Sequence, residues 1–223
     1  MANTSGKIWF EITTPVRQIE KEVNKAVARF FDRNIKSIGK RLNVEIPLLI
    51  NIAIQSCTEM TELKSGSLRG ELGLTSSQAE RAVNTIGDLV ARSSQVTIQP
   101  VSLGGGNRIN GGISIHIQPD NFRNLRGYGV LDYYSKRYKR NVSIPWLDWL
   151  LKAGDRILVA KYYYSEGSSI NSRSGLGKMK RGGSFRVSPD NAGTETNNFI
   201  TRALKDKEDD IVSLIFTEFH KAK

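Results

Sequence analysis

The chain has 223 residues, one cysteine, 39% hydrophobic and 25% charged residues, and a net charge of +11. Such a chain can bury a real core, which excludes intrinsic disorder, and the lone Cys57 excludes an intrachain disulfide. No stretch approaches the ~20 apolar residues of a membrane span, and MANTSGKIWFEITTP lacks a signal-peptide centre, so cytoplasmic synthesis and no membrane partner are expected.

Ile8, Phe10 and Ile12 alternate with Trp9 and Glu11, which predicts a short strand. Thr14 and Pro15 then supply an N-cap and a first-turn proline. Val16, Ile19, Val23, Ala26, Val27, Phe30 and Phe31 follow at three- and four-residue steps. That spacing predicts an amphipathic helix to about residue 38, ended by Gly39. Residues 46–60, IPLLINIAIQSCTEM, are apolar nearly all round and predict a second helix, with Pro47 in its first turn and Cys57 as a buried, inert thiol. The glycines and leucines of LKSGSLRGELGL (63–74) predict a tight connection. A third helix is expected from near Thr75, with a capping box at Ser77 and Glu80 and a stripe of Ala79, Ala82, Val83, Ile86, Leu89 and Val90.

The period then changes from 3.6 to 2. Val96, Ile98 and Val101 read as one strand and Ile113, Ile115 and Ile117 as its hairpin partner, with Pro100 at an edge or bulge and a glycine-dense loop at 103–112. Residues 119–141 read as irregular. IPWLDWLLKAGD (144–155) predicts a short helix closed by Gly154, and DRILVAKYYYS (155–165) a third strand. Residues 166–195 read as a second long loop, and Phe199 to Phe219 as a terminal helix. The expected fold is a single α+β domain over residues 1–223. A twisted antiparallel sheet packs against a long N-terminal and a C-terminal helix, with extended Gly-rich loops at 103–112 and 166–195.

The charge is localised. Residues 101–186 hold 15 Lys/Arg against 5 Asp/Glu, a net +10. Two clusters stand out: YYSKRYKR, with Tyr134, Lys136, Arg137, Lys139 and Arg140 beside Tyr133 and Tyr138, and Arg173, Lys178, Lys180 and Arg181 in the second loop. Basic residues interleaved with aromatics can hold phosphates and stack bases. The same residues also fit solvated charges over inward-packed tyrosines, and both readings stay open.

Catalytic chemistry is not expected. His116 and His220 are far apart, and with one cysteine they cannot assemble a zinc site. Asp209–Asp210 and Glu20–Glu22 fall on predicted solvent faces. SGLGKMKRGG (174–183) lacks the glycine spacing and the Ser or Thr of a phosphate-binding loop. No cofactor, metal or catalytic residue is assigned.

Three motifs remain: Gly66-Ser67-Leu68-Arg69 within SGSLRGELGL, the segment IPWLDWLLKAGD with Trp146 and Trp149, and GSFRVSPDNAGTETNNFITRAL (183–204). The last leads through Gly193 into Asn198 and Phe199, where an asparagine cap and a core-anchoring phenylalanine are expected. Together these resemble the neck and tail-completion proteins of tailed bacteriophages, the head–tail joining and tail-terminator-like subunits. The resemblance implies a non-enzymatic virion protein, assembled in the host cytoplasm. It implies a homo-oligomeric ring, usually of six copies, that joins head to tail around the DNA channel and contacts neighbouring neck, portal-side or tail proteins. The alternative is a nucleic-acid-binding module using the basic and aromatic loops.

Overall fold

The structure, a computed structural model, describes residues 13–117, 122–135, 139–168, 170 and 172–221. The strand expected around Ile8 and the cluster residues Lys136, Arg137 and Tyr138 lie outside these. The elements run in the order α1 (Val16–Ser56), α2 (Thr58–Ser65), α3 (Ser67–Glu71), α4 (Ser76–Arg92), β1 (Gln95–Leu103), β2 (Ile109–His116), α5 (Arg123–Arg126), β3 (Leu131–Ser135), β4 (Arg140–Ile144), α6 (Trp146–Leu151), β5 (Val159–Glu166), β6 (Gly177–Phe185), α7 (Phe199–Asp206) and α8 (Glu208–Lys221). The fold is α+β, as expected. Its strands form three two-stranded antiparallel ribbons, β1–β2, β3–β4 and β5–β6.

The largest departure is α1, a continuous helix of 41 residues. At a rise of 1.5 Å per residue it is about 60 Å long. Gly39 does not end it. Gly39 is buried under β1, where an added Cβ would collide with the side chain of Ile98. Its missing side chain therefore serves a close helix–strand approach. Pro47 lies inside the same helix. Proline usually disrupts a helix interior, but Ile46, Ile50, Ala53 and Ile54 around it are all buried, and that packing holds the turn.

One core joins most elements. Ile38, Leu42, Ile46, Ile50 and Ile54 of α1 meet Val83, Ile86 and Val90 of α4, Trp146, Leu147 and Leu150 of α6, and Phe199 and Ile200 of α7. The capping box of α4 is set two residues earlier than predicted. Thr75 Oγ1 accepts from the Gln78 amide at 3.3 Å, and Gln78 Oε1 accepts from the Thr75 amide at 3.0 Å. The expected terminal helix is broken at Lys207 into α7 and α8. α8 returns along α1, where Phe219 meets Phe31 edge-to-face at 5.8 Å and Glu218 is gripped by Arg41 and Lys221.

The ribbons lean on this body. In β1–β2, Val96 faces Ile115 and Ile98 faces Ile113, and the register slips between Gln99 and Ser102, around Pro100. The turn is shorter than expected: residues 109–112 belong to β2, and Asn24 Nδ2 donates to the Asn107 carbonyl at 3.0 Å, tying the tip to α1. The β3–β4 ribbon occupies part of the stretch read as irregular. The β6 strand occupies nine residues of the stretch read as a thirty-residue loop, because its exposed residues carry little hydrophobic alternation to mark it.

Candidate functional site

The leucine–glycine element and the 166–195 segment, read separately in the sequence, are one unit in space. Leu68 is fully buried on α3. Gly66 links α2 to α3, where the Ser67 amide donates to Glu62 Oε2 at 3.1 Å. Arg69 Nη1 donates to the Lys64 carbonyl at 3.1 Å. From across the chain, the Tyr164 ring of β5 closes on Gly70 and Gly177, and a Cβ at either glycine would collide with the phenol. Arg173 Nε donates to the Gly73 carbonyl at 2.8 Å. Arg173 thus ties the segment to the body while its side chain stays exposed.

Between these parts lies an open cleft of ≈ 390 Å³, walled by Glu71, Trp149, Tyr162, Tyr164, Arg173 and Met179. Glu71 Oε2 and the Tyr164 hydroxyl of the cleft wall, and Arg69 Nε close to Glu71 in sequence, are buried without a hydrogen-bond partner among the described residues. Burial, followed by the charges of Glu166 and Glu62, pushes the Glu71 carboxyl above its ordinary range. Burial, then Glu166 and Glu71, pushes the Tyr164 phenol up likewise.

The stretch 183–204 closes the body. Phe185 and Val187 are buried, and Phe185 meets Trp149 edge-to-face at 6.3 Å. The Gly154 amide donates to the Gly193 carbonyl at 2.9 Å. A Cβ on Gly193 would strike the Leu150 carbonyl, so only glycine allows α6 and this stretch to touch. Asn198 is the cap: its Oδ1 accepts from the Ile200 and Thr201 amides at 3.1 and 3.2 Å, and its amide donates to Thr201 Oγ1 at 2.9 Å. Asn198 and Phe199 are both fully buried, as the anchoring role requires. Trp146 is buried at the start of α6.

The basic residues divide by face. In β5–β6, Tyr162 is paired with Arg181, Tyr163 with Lys180, Tyr164 with Met179 and Ser165 with Lys178; Tyr162, Tyr164, Lys178 and Met179 line the cleft, and Tyr163 and Lys180 lie on the outer side. Lys178, Lys180 and Arg181 are exposed. Tyr163, 41% exposed, lies 3.7 Å from where a Gly183 Cβ would stand, and Lys161 beside it has φ +64° at a break in register. A left-handed lysine in a strand is uncommon and strains the backbone locally. The outer face is therefore an aromatic ring flanked by lysines. In β3–β4, Tyr134 is 60% exposed, and Lys139 (φ +49°) and Arg140 are exposed at the far end of the ribbon from Leu131 and Ile144. The base of that ribbon, at Ile144, reaches the cleft. Among the described residues the two basic clusters thus lie on separate ribbons.

Val16, Ile19, Val23 and Phe30, whose spacing predicts an amphipathic helix, are exposed; the face of α1 that meets the core is Ala28, Ile35, Ile38 and Leu42. Beyond Asn34, Ser37 and the Arg41 that grips Glu218, Val44, Leu48 and Ile52 form a second exposed apolar stretch toward the C-terminal end of α1. The helical period found the stripe, and nothing local to α1 says which of its two apolar stripes meets the body.

Among the described residues, no group of three His, Cys, Asp or Glu is placed to hold a metal ion, and no helix is long and apolar enough to cross a membrane. Comparison with family models, with curated proteins and with solved structures gives no match to this chain.

Proposed function

We propose that this chain is a structural assembly subunit of a tailed-phage neck or tail end, acting in a homo-oligomeric ring around the DNA channel and against neighbouring virion proteins. The observation that carries the assembly part is the bare apolar side of α1. Val16, Val23, Phe30, Val44, Leu48 and Ile52 are each more than half exposed along one helix. They form two apolar stretches, Val16–Phe30 and Val44–Ile52, separated by Asn34, Ser37 and the Arg41 that bonds Glu218, and exposed apolar stretches of this kind mark protein–protein contacts. The station in the virion rests on the resemblance of Gly66–Arg69, IPWLDWLLKAGD and the 183–204 stretch to neck and tail-completion proteins. The built clamp of Gly70, Tyr164 and Arg173 and the cap of Asn198 agree with such motifs acting as scaffold. Sedimentation and negative-stain imaging of the purified full chain test the reading. Rings of identical subunits are the expected result; a strict monomer at all concentrations, absent from particles, overturns it.

A second reading is favoured by the β5–β6 ribbon. Tyr163 with Lys178, Lys180 and Lys161 offers stacking and charge to a nucleic-acid strand. It predicts single-strand binding that weakens steeply as salt rises and is lost in a Lys178→Ala/Lys180→Ala variant. Absence of binding at low salt removes it.

A further inference from the structure

We infer that the N-terminal half of α1 pairs in antiparallel fashion with the same segment of a second copy of this chain. The argument begins with spacing. Val16, Ile19, Val23, Ala26 and Phe30 follow one another by three, four, three and four residues, the a/d pattern of a two-stranded coiled coil. A core-facing helix normally hides such a seam. Here it is exposed: Val16 is 70% exposed, Ile19 39%, Val23 54% and Phe30 51%, and Ala26 is exposed between them. The other sides of this half-helix are already occupied. Asn24 bonds the β1–β2 turn, Asp32 Oδ1 accepts from the Val101 amide at 3.0 Å, and Phe31 meets Phe219 of α8. The seam is the side these contacts leave bare.

Charge beside the seam selects both partner and direction. Glu22 and Arg29 occupy equivalent flanking positions one heptad apart, and both are exposed. In a parallel pair Glu22 would face Val27 and Arg29 would face Asn34 of the second copy, with no charge matched. In an antiparallel pair Val23 packs beside Ala26 of the second copy and Ile19 beside Phe30. Glu22 of each copy then meets Arg29 of the other, twice by symmetry. The weak Glu22–Lys25 contact at 3.9 Å leaves the Glu22 carboxylate able to turn to that partner. A second copy is therefore the occupant whose charges match. The contact is two-fold, so it doubles whatever else the chain forms and does not depend on the ring reading.

The test measures the mass of the full chain by sedimentation at several concentrations. Val23→Asp/Phe30→Asp is expected to halve the mass of the wild-type assembly, whether that is a dimer or a paired ring, while the circular-dichroism spectrum of the folded chain is retained because both residues are more than half exposed. Glu22→Arg and Arg29→Glu should each weaken doubling at least tenfold, and the combined E22R/R29E chain should restore it. Unchanged mass in the first variant, or charge variants that do not rescue one another, overturns the inference. A wild-type chain that doubles only after residues 1–12 are removed would assign the seam to that segment and overturn it too. A chain that doubles but never forms a larger ring would leave this pairing standing and count only against the ring.

Discussion

Arg202 and Glu59 are 143 residues apart and form an ion pair in which two guanidinium nitrogens share one carboxylate oxygen. Arg202 donates through Nε and Nη2 to Glu59 Oε1, the first at 3.0 Å, and through Nη1 to Asn197 Oδ1 at 3.0 Å. Glu59 is buried at the start of α2, while Arg202 keeps about a third of its side chain in solvent. The arginine of the NNFITRA motif therefore ties α7 to the helix that leads into SGSLRGELGL. Replacing it leaves a buried carboxylate with its main partner gone. Arg202→Met is expected to cost roughly 2–4 kcal/mol, toward the lower end because the pair is partly solvated. Glu59→Gln, which retains an acceptor, should cost less. Urea unfolding midpoints at neutral pH check the order of the two.

Gly193 makes a sharper steric prediction. A Cβ added there would run into the Leu150 carbonyl and Asn198. Gly193→Ala forces backbone apart at the junction of α6 and the α7 cap, and overpacking of this kind costs about 1–3 kcal/mol. The loss should appear as a lower melting temperature, and it should be larger than that of Gly105→Ala, where an added Cβ meets nothing within 4 Å.

Glu71 gives a pH-dependent prediction. Its carboxyl titrates above the ordinary value, chiefly through burial. A raised carboxyl favours folding below its unfolded value, and that advantage is lost as pH rises and the native state must hold the charge. Glu71→Gln removes the charged form. It should stabilise the protein by roughly 0.5–1 kcal/mol at pH 7, a modest gain because the group is partly solvated, and give no gain near pH 4. Thermal melts of the variant and wild type across that range decide it.

Cys57 is expected to be inert. Burial pushes its thiol up to about 12. The thiolate is the reactive form, so alkylation at pH 8 should be far slower in the folded protein than in urea. The same displacement makes the native state lose stability as pH rises above 9 toward 12, since the unfolded thiol ionises first. Mass spectrometry after timed iodoacetamide treatment reads the first effect.

Much of this was legible in the residues, and the misses share a cause. Asn198 announces its cap because the signal is local: a short polar acceptor followed by the amides it must satisfy. Gly39 and Pro47 mislead because their usual meaning is also local, whereas here Ile98 and the buried isoleucines around residue 50 decide the outcome from outside. β6 escaped because a ribbon with a solvated outer face and several glycines carries little alternation. The tie of Arg173 to the body left no sign in the sequence because its acceptor, the Gly73 carbonyl, lies a hundred residues away. Tertiary contacts of that separation leave no periodic trace.

The three ribbons have a consequence for how the protein breathes. A lone two-stranded ribbon is marginal in water, so each must draw its order from the element beneath it. For β1–β2 that element is α1, whose Asp32 and Asn43 side chains accept amide protons from Val101 and Val96. For β5–β6 it is α3, with Tyr164 set against Gly70. Amide exchange should therefore resolve separate openings below the transition of the helical core: one ribbon freed by loss of Asp32, the other by loss of Tyr164, while Val83 and Ile86 of α4 stay protected in both.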